Sequence, residues 1–291
     1  MLKQRSAGDK SWPIACSRTT LGTVDEELDL SGAHLSYGDF EDATFEGKAI
    51  KLNGTGLAHA DLSGSKLTAE NTYGNAATID FSGANLTHAD LSGSELTAQA
   101  SYGDATIDFT EANLANTDLG GSNLTAQASY GDATIDFSGA NLAHTDLSDS
   151  ELTAEAMAEA SSSYGLDLGD GDATIDFSGA NLANTDLGGS KLTAQASYGD
   201  ATIEFSGANL ANADLSGSTL TAELIAKNSY GDATIDFSGA NLAHADLSGS
   251  ELIATTSDGE ATIDFTDTMN ADLSDSDYWS GPGFIALTAV L

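Results

Sequence analysis

Basic residues, cysteine, proline and aromatic residues are all scarce in this sequence, and each scarcity excludes something. The single cysteine, Cys16, excludes an intrachain disulfide framework and a thiolate metal cluster. Aromatics make up 7% of the chain and the apolar share rests on Ala and Leu, which rules out a thick, aromatic-filled core. No run approaches the roughly 18 apolar residues that a membrane helix needs, and the apolar tail at 284–291 is far too short, so no membrane span is expected. Nine basic residues stand against 45 acidic ones, a net charge of −36. Such a surface repels nucleic acid and anionic membranes and attracts cations, basic proteins or dense salt.

The charge is unevenly placed. Lys3, Arg5, Lys10 and Arg18 lie in the first twenty positions, whereas residues 70–291 hold 35 acids and only Lys191 and Lys227, a balance of −33. The start of the chain has bases but no apolar segment of signal-peptide length, since Trp12-Pro13-Ile14-Ala15-Cys16 is brief and broken by proline. It reads as a basic tail, with an organellar transit-type segment as the alternative. The compartment is left undetermined.

What the chain has in abundance is repetition. The string Ala-Thr-Ile-Asp-Phe-Ser-Gly-Ala-Asn-Leu recurs almost verbatim, with its phenylalanines at Phe81, Phe109, Phe137, Phe177, Phe205, Phe237 and Phe265 and Leu52 in the same place upstream. The spacings are 29, 28, 28, 40, 28, 32 and 28, so the basic unit is 28 residues. Inside a unit, Phe81, Leu86, Leu91 and Leu96 are five apart, and a small residue such as Ala84 or Ala89 sits two positions before each large one. A five-residue period fits neither an α-helix nor an alternating strand. It fits a chain that turns a corner every five residues, with one large and one small side chain pointing inward at each step.

Ala84-Asn85-Leu86-Thr87-His88 followed by Ala89-Asp90-Leu91-Ser92-Gly93 resembles the pattern of the pentapeptide-repeat family, and Leu30, Leu35, Phe40, Phe45 and Ile50 continue it upstream. The resemblance covers roughly residues 28–280. It implies an all-β fold, a right-handed, four-sided parallel β-helix, or solenoid, with twenty residues per coil. The expected organisation is a basic N-terminal tail or cap at 1–27, the solenoid at 28–277, and an apolar C-terminal cap or dimerisation segment at 278–291. Stacked coils at the strand spacing of about 4.8 Å give eight units a length of roughly 38 Å. Open solenoid ends need caps.

One departure from the family stands out, because thirteen residues instead of five separate Leu96 from Phe109. A 28-residue unit therefore carries about eight extra residues over a twenty-residue coil. The longer 40- and 32-residue units add their material at the same place, around 157–171 and 224–228. Insertions are tolerated where the chain projects into solvent, so the segment Gln99-Ala100-Ser101-Tyr102-Gly103-Asp104 and its equivalents are expected to form corner loops stacked along one edge, with Gly103 permitting a tight turn. A coil with one longer side is the competing geometry.

Stacking turns equivalent residues into ladders, and these are the functional candidates. One face carries Asp80, Asp108, Asp136, Asp176, Glu204, Asp236 and Asp264; a second carries Asn85, Asn113, Asn141, Asn181, Asn209 and Asn241; a third carries Asp90, Asp118, Asp146, Asp186, Asp214 and Asp246. The fourth is mixed, with Glu95, Asn123, Glu151, Lys191, Thr219 and Glu251. Carboxylates about 4.8 Å apart repel by roughly 0.9 kcal/mol even in water, and seven in a row by about 5 kcal/mol before screening. The first acidic column is thus a candidate cation ladder, with Ca²⁺ the ion that hard oxygen ligands suit. The opposing reading, solvated acidic faces in a salt-adapted protein, is preferred, because one Asp per coil lacks a glycine-rich loop to wrap calcium.

Three further columns are candidates of weaker chemistry. Tyr102, Tyr130, Tyr164, Tyr198 and Tyr230 form an aromatic stripe that could bind a partner or simply cover an edge. Thr78, Thr106, Thr134, Thr174, Thr202, Thr234 and Thr262 form one threonine column, and Thr97, Thr125, Thr153, Thr193 and Thr221 another, an arrangement that resembles ice-binding β-solenoids except that the two columns fall on different segments. His59, His88, His144 and His244 share a position that elsewhere holds Asn116, Asn184 or Asn212, and too few are adjacent to hold a metal.

No nucleophile elbow, phosphate loop or Cys/His cluster is present in the sequence, so no catalytic residue and no cofactor is assigned and the chain is not expected to be an enzyme. A salt-adapted acidic rod acting as a structural scaffold or protein-interaction module is the first reading, its partner a basic protein surface or a second copy joined end to end. The second is a DNA mimic binding a type II topoisomerase, as some members of the family do. Residues 70–291 would carry nearly one charge per ångström against one per about 1.7 Å in duplex DNA, but projecting loops would thicken the rod. Ice binding and divalent-cation binding come third.

Overall fold

The computed structural model describes residues 15–72, 75–157, 171–225 and 231–268, together with the backbone of the strands Asp277–Ser280 and Ile285–Thr288. Lys3, Arg5, Lys10, the Trp12-Pro13-Ile14 segment, Tyr164, Tyr230, most of the 157–171 insertion and the side chains of 278–291 lie outside the described residues. Within them the chain is all strand and turn, wound into a parallel β-solenoid.

Two ten-stranded parallel sheets run the length of the rod. One is built from six-residue strands such as Glu95–Ala100, Asn123–Ala128 and Glu151–Ala156, the other from four-residue strands such as Ala105–Asp108, Ala133–Asp136 and Ala173–Asp176. Register is set by sequence identity: Ala105 pairs with Ala133, Thr106 with Thr134, Ile107 with Ile135 and Asp108 with Asp136. The remaining two sides of the coil are single bridges, Asn113 to Asn141 and Asp118 to Asp146 in one coil step.

Inside, the coils stack residue on residue. Phe81, Phe109, Phe137, Phe177, Phe205, Phe237 and Phe265 are buried with ring centroids 4.7–5.0 Å apart and planes within 1–3° of parallel. That near-parallelism shows that successive coils are superposed with little rotation. Buried Leu86, Leu91 and Leu96 and their equivalents occupy the other three inward positions.

Three corners of each coil are five-residue steps, and each is a β-turn. The Ala84 N–H donates to the Phe81 carbonyl at 2.9 Å, Ala89 to Leu86 at 2.8 Å and Ser94 to Leu91 at 3.1 Å. The third residue of each turn adopts a left-handed φ: Gly83 at 60°, His88 at 57° and Gly93 at 61°. This explains the histidine and asparagine column, because after glycine the side chains that best tolerate positive φ are Asn, Asp and His. His59, His88, Asn116, His144, Asn184, Asn212 and His244 all lie between 57° and 60°.

The fourth corner corrects the expectation of a projecting eight-residue loop. The extra residues lengthen two sides into true strands, so the competing geometry of a longer coil is the one adopted. Leu96, Ala98 and Ala100 alternate inward along Glu95–Ala100, and Ala105 and Ile107 alternate inward along Ala105–Asp108, all buried. Only residues 101–104 form the bend. Alanine on both inner faces suits the narrowing wedge between two strands that meet at a bend.

Glycine at this bend answers to space and not to φ. None of Gly103, Gly131, Gly171, Gly231 and Gly259 is left-handed, but a Cβ on Gly131 would lie 2.6 Å from the Gly103 carbonyl, and one on Gly259 would lie 1.8 Å from that of Gly231. A second correction concerns the first coil, where Ile50 pairs with Ile79 and Lys51 with Asp80. Ile50 therefore takes the Ile79 position, and Leu52 that of Phe81. The coil from Leu30 to Leu52 spans 22 residues and bends at Lys48 between Thr44–Gly47 and Ala49–Lys51, without the drawn-out corner.

Glu111 occupies a left-handed corner at φ 56° where most units have glycine. Glu111→Gly is expected to raise the unfolding free energy by about 0.5–1 kcal/mol. Gly131→Ala is expected to lower it by about 3 kcal/mol through backbone overlap. Urea denaturation of the full chain checks both, and a destabilising Glu111→Gly would contradict the turn geometry.

Candidate interaction surface

Each outward column meets the same problem, identical polar groups one coil apart, and the columns meet it differently. In the two aspartate columns every member has an oxygen committed to its own turn. Asp80 Oδ1 accepts from the Ser82 N–H at 2.9 Å and the Ser82 hydroxyl at 2.6 Å; Asp108 accepts from the Thr110 N–H at 2.7 Å, and Asp136, Asp176, Asp236 and Asp264 repeat the bond two residues on. Glu204, one methylene longer, takes the Ser206 hydroxyl at 2.6 Å. Asp90, Asp118, Asp146, Asp186, Asp214 and Asp246 do the same on the third side, with Ser92, Gly120, Ser148, Gly188, Ser216 and Ser248 as donors.

Hydrogen bonds to the ionised form favour it. The Ser248 hydroxyl, and secondly the Ser248 N–H, hold the Asp246 carboxyl below the usual aspartate range. Among the described residues no three His, Cys, Asp or Glu side chains converge as a metal-ligand group. The Asp80 to Asp264 column offers one carboxylate per coil, each already anchored to its turn.

Asparagine solves the stacking problem by pairing. Asn141 Nδ2 donates to Asn113 Oδ1 at 3.0 Å, Asn181 to Asn141 at 3.0 Å, Asn209 to Asn181 at 3.0 Å and Asn241 to Asn209 at 2.9 Å. A mixed column on the long strands combines amides and carboxylates, with Gln99 donating to Gln127, Gln127 to Glu155 at 2.8 Å and Gln195 to Glu223 at 3.0 Å. Beside it, Lys66 pairs with Glu95 and Lys191 with Glu151, both at 3.0 Å across coils.

Sequence reasoning overlooked one acidic column, at the drawn-out corner. Asp104 Oδ1 accepts from the Asp132 N–H at 3.1 Å, and the same bond runs from Asp172 to Asp132, Asp200 to Asp172, Asp232 to Asp200 and Glu260 to Asp232 at 2.8–3.0 Å. Its signal was the recurrent Gly-Asp-Ala-Thr at each bend. These carboxylates link coil to coil, where the other two aspartate columns bond within a turn.

Tyr102 and Tyr130 stack with centroids 5.4 Å apart, and Tyr198 lies half-buried at the same edge. Tyr37, His59 and His88 stack at 4.8–4.9 Å along the second corner, three exposed rings in a row. Thr106, Thr134, Thr174, Thr202 and Thr234 are in register on the short-strand sheet, and Thr97 and its equivalents on the long-strand sheet. The bend also borders a groove lined by Ser101, Ser129, Ser197, Tyr102, Tyr130, Met157 and Ile225.

Among known proteins, the family of pentapeptide repeats matches in eight copies, with residues 77–98, 203–222 and 235–256 matched. No curated protein sequence matches significantly. Among solved structures, HetL, a pentapeptide repeat protein involved in heterocyst differentiation regulation from the cyanobacterium Nostoc sp. strain PCC 7120, is 20% identical over 90% of this chain and 89% of its own, with a TM-score of 0.22. QnrB1, a plasmid-mediated fluoroquinolone resistance protein, is 13% identical over 92% of this chain and 94% of its own, with a TM-score of 0.21. A pentapeptide repeat protein from the cyanobacterium Cyanothece 51142 is 19% identical over 71% of this chain and 90% of its own, at 0.16.

Asn181 both donates and accepts in its ladder, so Asn181→Ala is expected to cost about 2 kcal/mol, whereas Thr174→Ala on the short-strand sheet stays within about 0.5 kcal/mol; denaturant midpoints of the two variants give the comparison. Ser248→Ala is expected to move the Asp246 titration, followed by carboxyl NMR, up toward the ordinary aspartate value. Because the folded-state value is depressed, this carboxylate stabilises the fold above its unfolded-state value and that contribution is lost as pH falls through the folded one. An unmoved titration would contradict the turn bond.

Proposed function

We propose that this chain, a pentapeptide-repeat protein, works as a non-enzymatic acidic rod, a salt-adapted scaffold or interaction module for partners with basic surfaces. The observation that carries the reading is the registered array of carboxylates, one per coil on each of several columns at 4.7–5.0 Å steps, every one of which is held in a fixed direction by its turn or by the next coil. Carboxylates oriented in this way need no further ordering to meet a cationic surface, which lowers the entropic cost of binding. The net charge of −36 adds long-range steering toward basic partners.

Salt adaptation follows from the same columns, because their mutual repulsion falls as the Debye length shrinks from about 10 Å at 0.1 M to about 3 Å at 1 M salt. A second reading, that the rod stands in for duplex DNA at a type II topoisomerase, rests on the same linear charge density. Inhibition of a gyrase supercoiling assay at micromolar protein would favour it over the general scaffold.

Two measurements test the proposal. Titration with oligolysine by calorimetry is expected to show binding at low ionic strength that weakens steeply with added NaCl; absence of binding at low salt would overturn the interaction reading. Melting curves in NaCl are expected to shift upward with concentration, and CaCl₂ at matched ionic strength to give the same shift. A flat NaCl series would contradict salt adaptation, and a larger calcium shift would assign a cation site to the column from Asp80 to Asp264.

A further inference from the structure

The position that follows each long strand is a hydroxyl in most coils, Thr72, Ser101, Ser129 and Ser197, but Met157 and Ile225 in two others. In a molecule of near-identical units such departures are informative. Both apolar side chains face the groove beside the bend, at 38% and 41% exposure, and Tyr102, 60% exposed, lines it with them. Three of the five exposed large hydrophobic residues among those described therefore fall on one edge. Clustered apolar exposure rimmed by polar groups marks an interaction site.

The rims are acidic. On the sheet side runs the column containing Glu70, Glu155 and Glu223, interleaved with Gln99, Gln127 and Gln195; on the bend side runs the column of Asp104, Asp132, Asp172, Asp200 and Asp232. Met157 and Ile225 are two coils apart, with Ser197 between them, a separation of about 10 Å at coil steps of 4.9 and 5.0 Å. Three residues of a polyproline II segment, one full turn at about 3.1 Å each, span nearly the same distance and bring every third side chain back to one side.

Deepening the reading of the chain as an acidic interaction rod, and resting on it, we propose that this groove binds a partner's peptide segment in polyproline II conformation, in which apolar residues recur every third position with basic residues between them. Met157 and Ile225 receive the apolar side chains, the two acidic columns flank the basic ones, and the exposed Tyr102 ring offers a cation a π-face. The chain's own insertion at 158–170 is a poor occupant, since it carries Glu159, Asp167 and Asp170 and no base between two acidic rims.

The test compares a synthetic peptide repeating Val-Lys-Lys with an oligolysine carrying the same number of charges, by calorimetry on the full chain. The Val-Lys-Lys peptide is expected to bind more tightly, and the double substitution Met157→Ser with Ile225→Ser, which restores the hydroxyl column, to weaken it about tenfold while leaving oligolysine unaffected. Equal affinity of the two peptides, or no effect of the double substitution on a chain with an unchanged melting curve, would overturn the groove and leave the acidic rod intact. Binding of neither peptide would overturn both. Deletion of residues 161–168 is expected to leave the affinity within about twofold; a tenfold gain would give the groove to that segment instead.

Discussion

Everything in this protein depends on backbone hydrogen bonding between successive coils in strict register. The Phe81 N–H donates to the Asp108 carbonyl at 2.7 Å, Leu86 to Asn113 at 2.8 Å and Leu91 to Asp118 at 2.7 Å, and the same bonds recur coil after coil. That ladder fixes the spacing at 4.7–5.0 Å and obliges each side chain to sit on its own equivalent. Inside, the obligation is favourable, because stacked phenylalanine and leucine fill a continuous thin core. Outside it sets like against like. Amides bond to one another, carboxylates bond to turn N–H groups, and Lys51, Lys66 and Lys191 neutralise neighbouring glutamates.

The 28-residue coil is the second consequence. Three corners are β-turns that need a left-handed third residue, supplied in most coils by glycine, asparagine or histidine and in a few by aspartate, glutamate or tyrosine. At the fourth the chain continues straight for six residues, bends once, and returns for four. The strands add paired backbone and buried alanine, so the additional residues extend the core and the two sheets. The bend brings glycine backbones into contact across coils and places an aspartate where its carboxylate can accept the N–H of the coil beyond. The groove sits on this corner, and two of the acidic columns lie on its flanking strand and bend.

Much of this was legible in the sequence, and the reasons for the exceptions are physical. The five-residue spacing of Phe81, Leu86, Leu91 and Leu96 identified the inward positions because only one large residue per side can point into so narrow a core. The fate of residues 97–104 was not legible, because Leu96-Thr97-Ala98-Gln99-Ala100 alternates for only five residues and alanine suits a loop as well as a wedge. Ile50 misled for a related reason: five residues from Phe45, it falls on the period by spacing and off it by register. The aspartate columns were visible as rows of charge, whereas their turn bonds, from the backbone N–H two residues on, depend on a corner geometry that residue types alone do not display. The histidines carried the opposite lesson, since their column is set by a backbone angle and not by the imidazole.

The central claim is that the structural quantum is a 28-residue coil whose fourth corner is part of the core. Excision of one whole coil, residues 105–132, tests it most directly, with circular dichroism and urea denaturation as readouts. The account predicts a chain that still folds cooperatively with unchanged β-signal per residue, while removal of only the eight residues 97–104 from one coil breaks the register of both sheets and lowers the denaturation midpoint sharply. A chain that tolerated loss of 97–104 as readily as loss of 105–132 would contradict it, since those residues would then be loop and not structure.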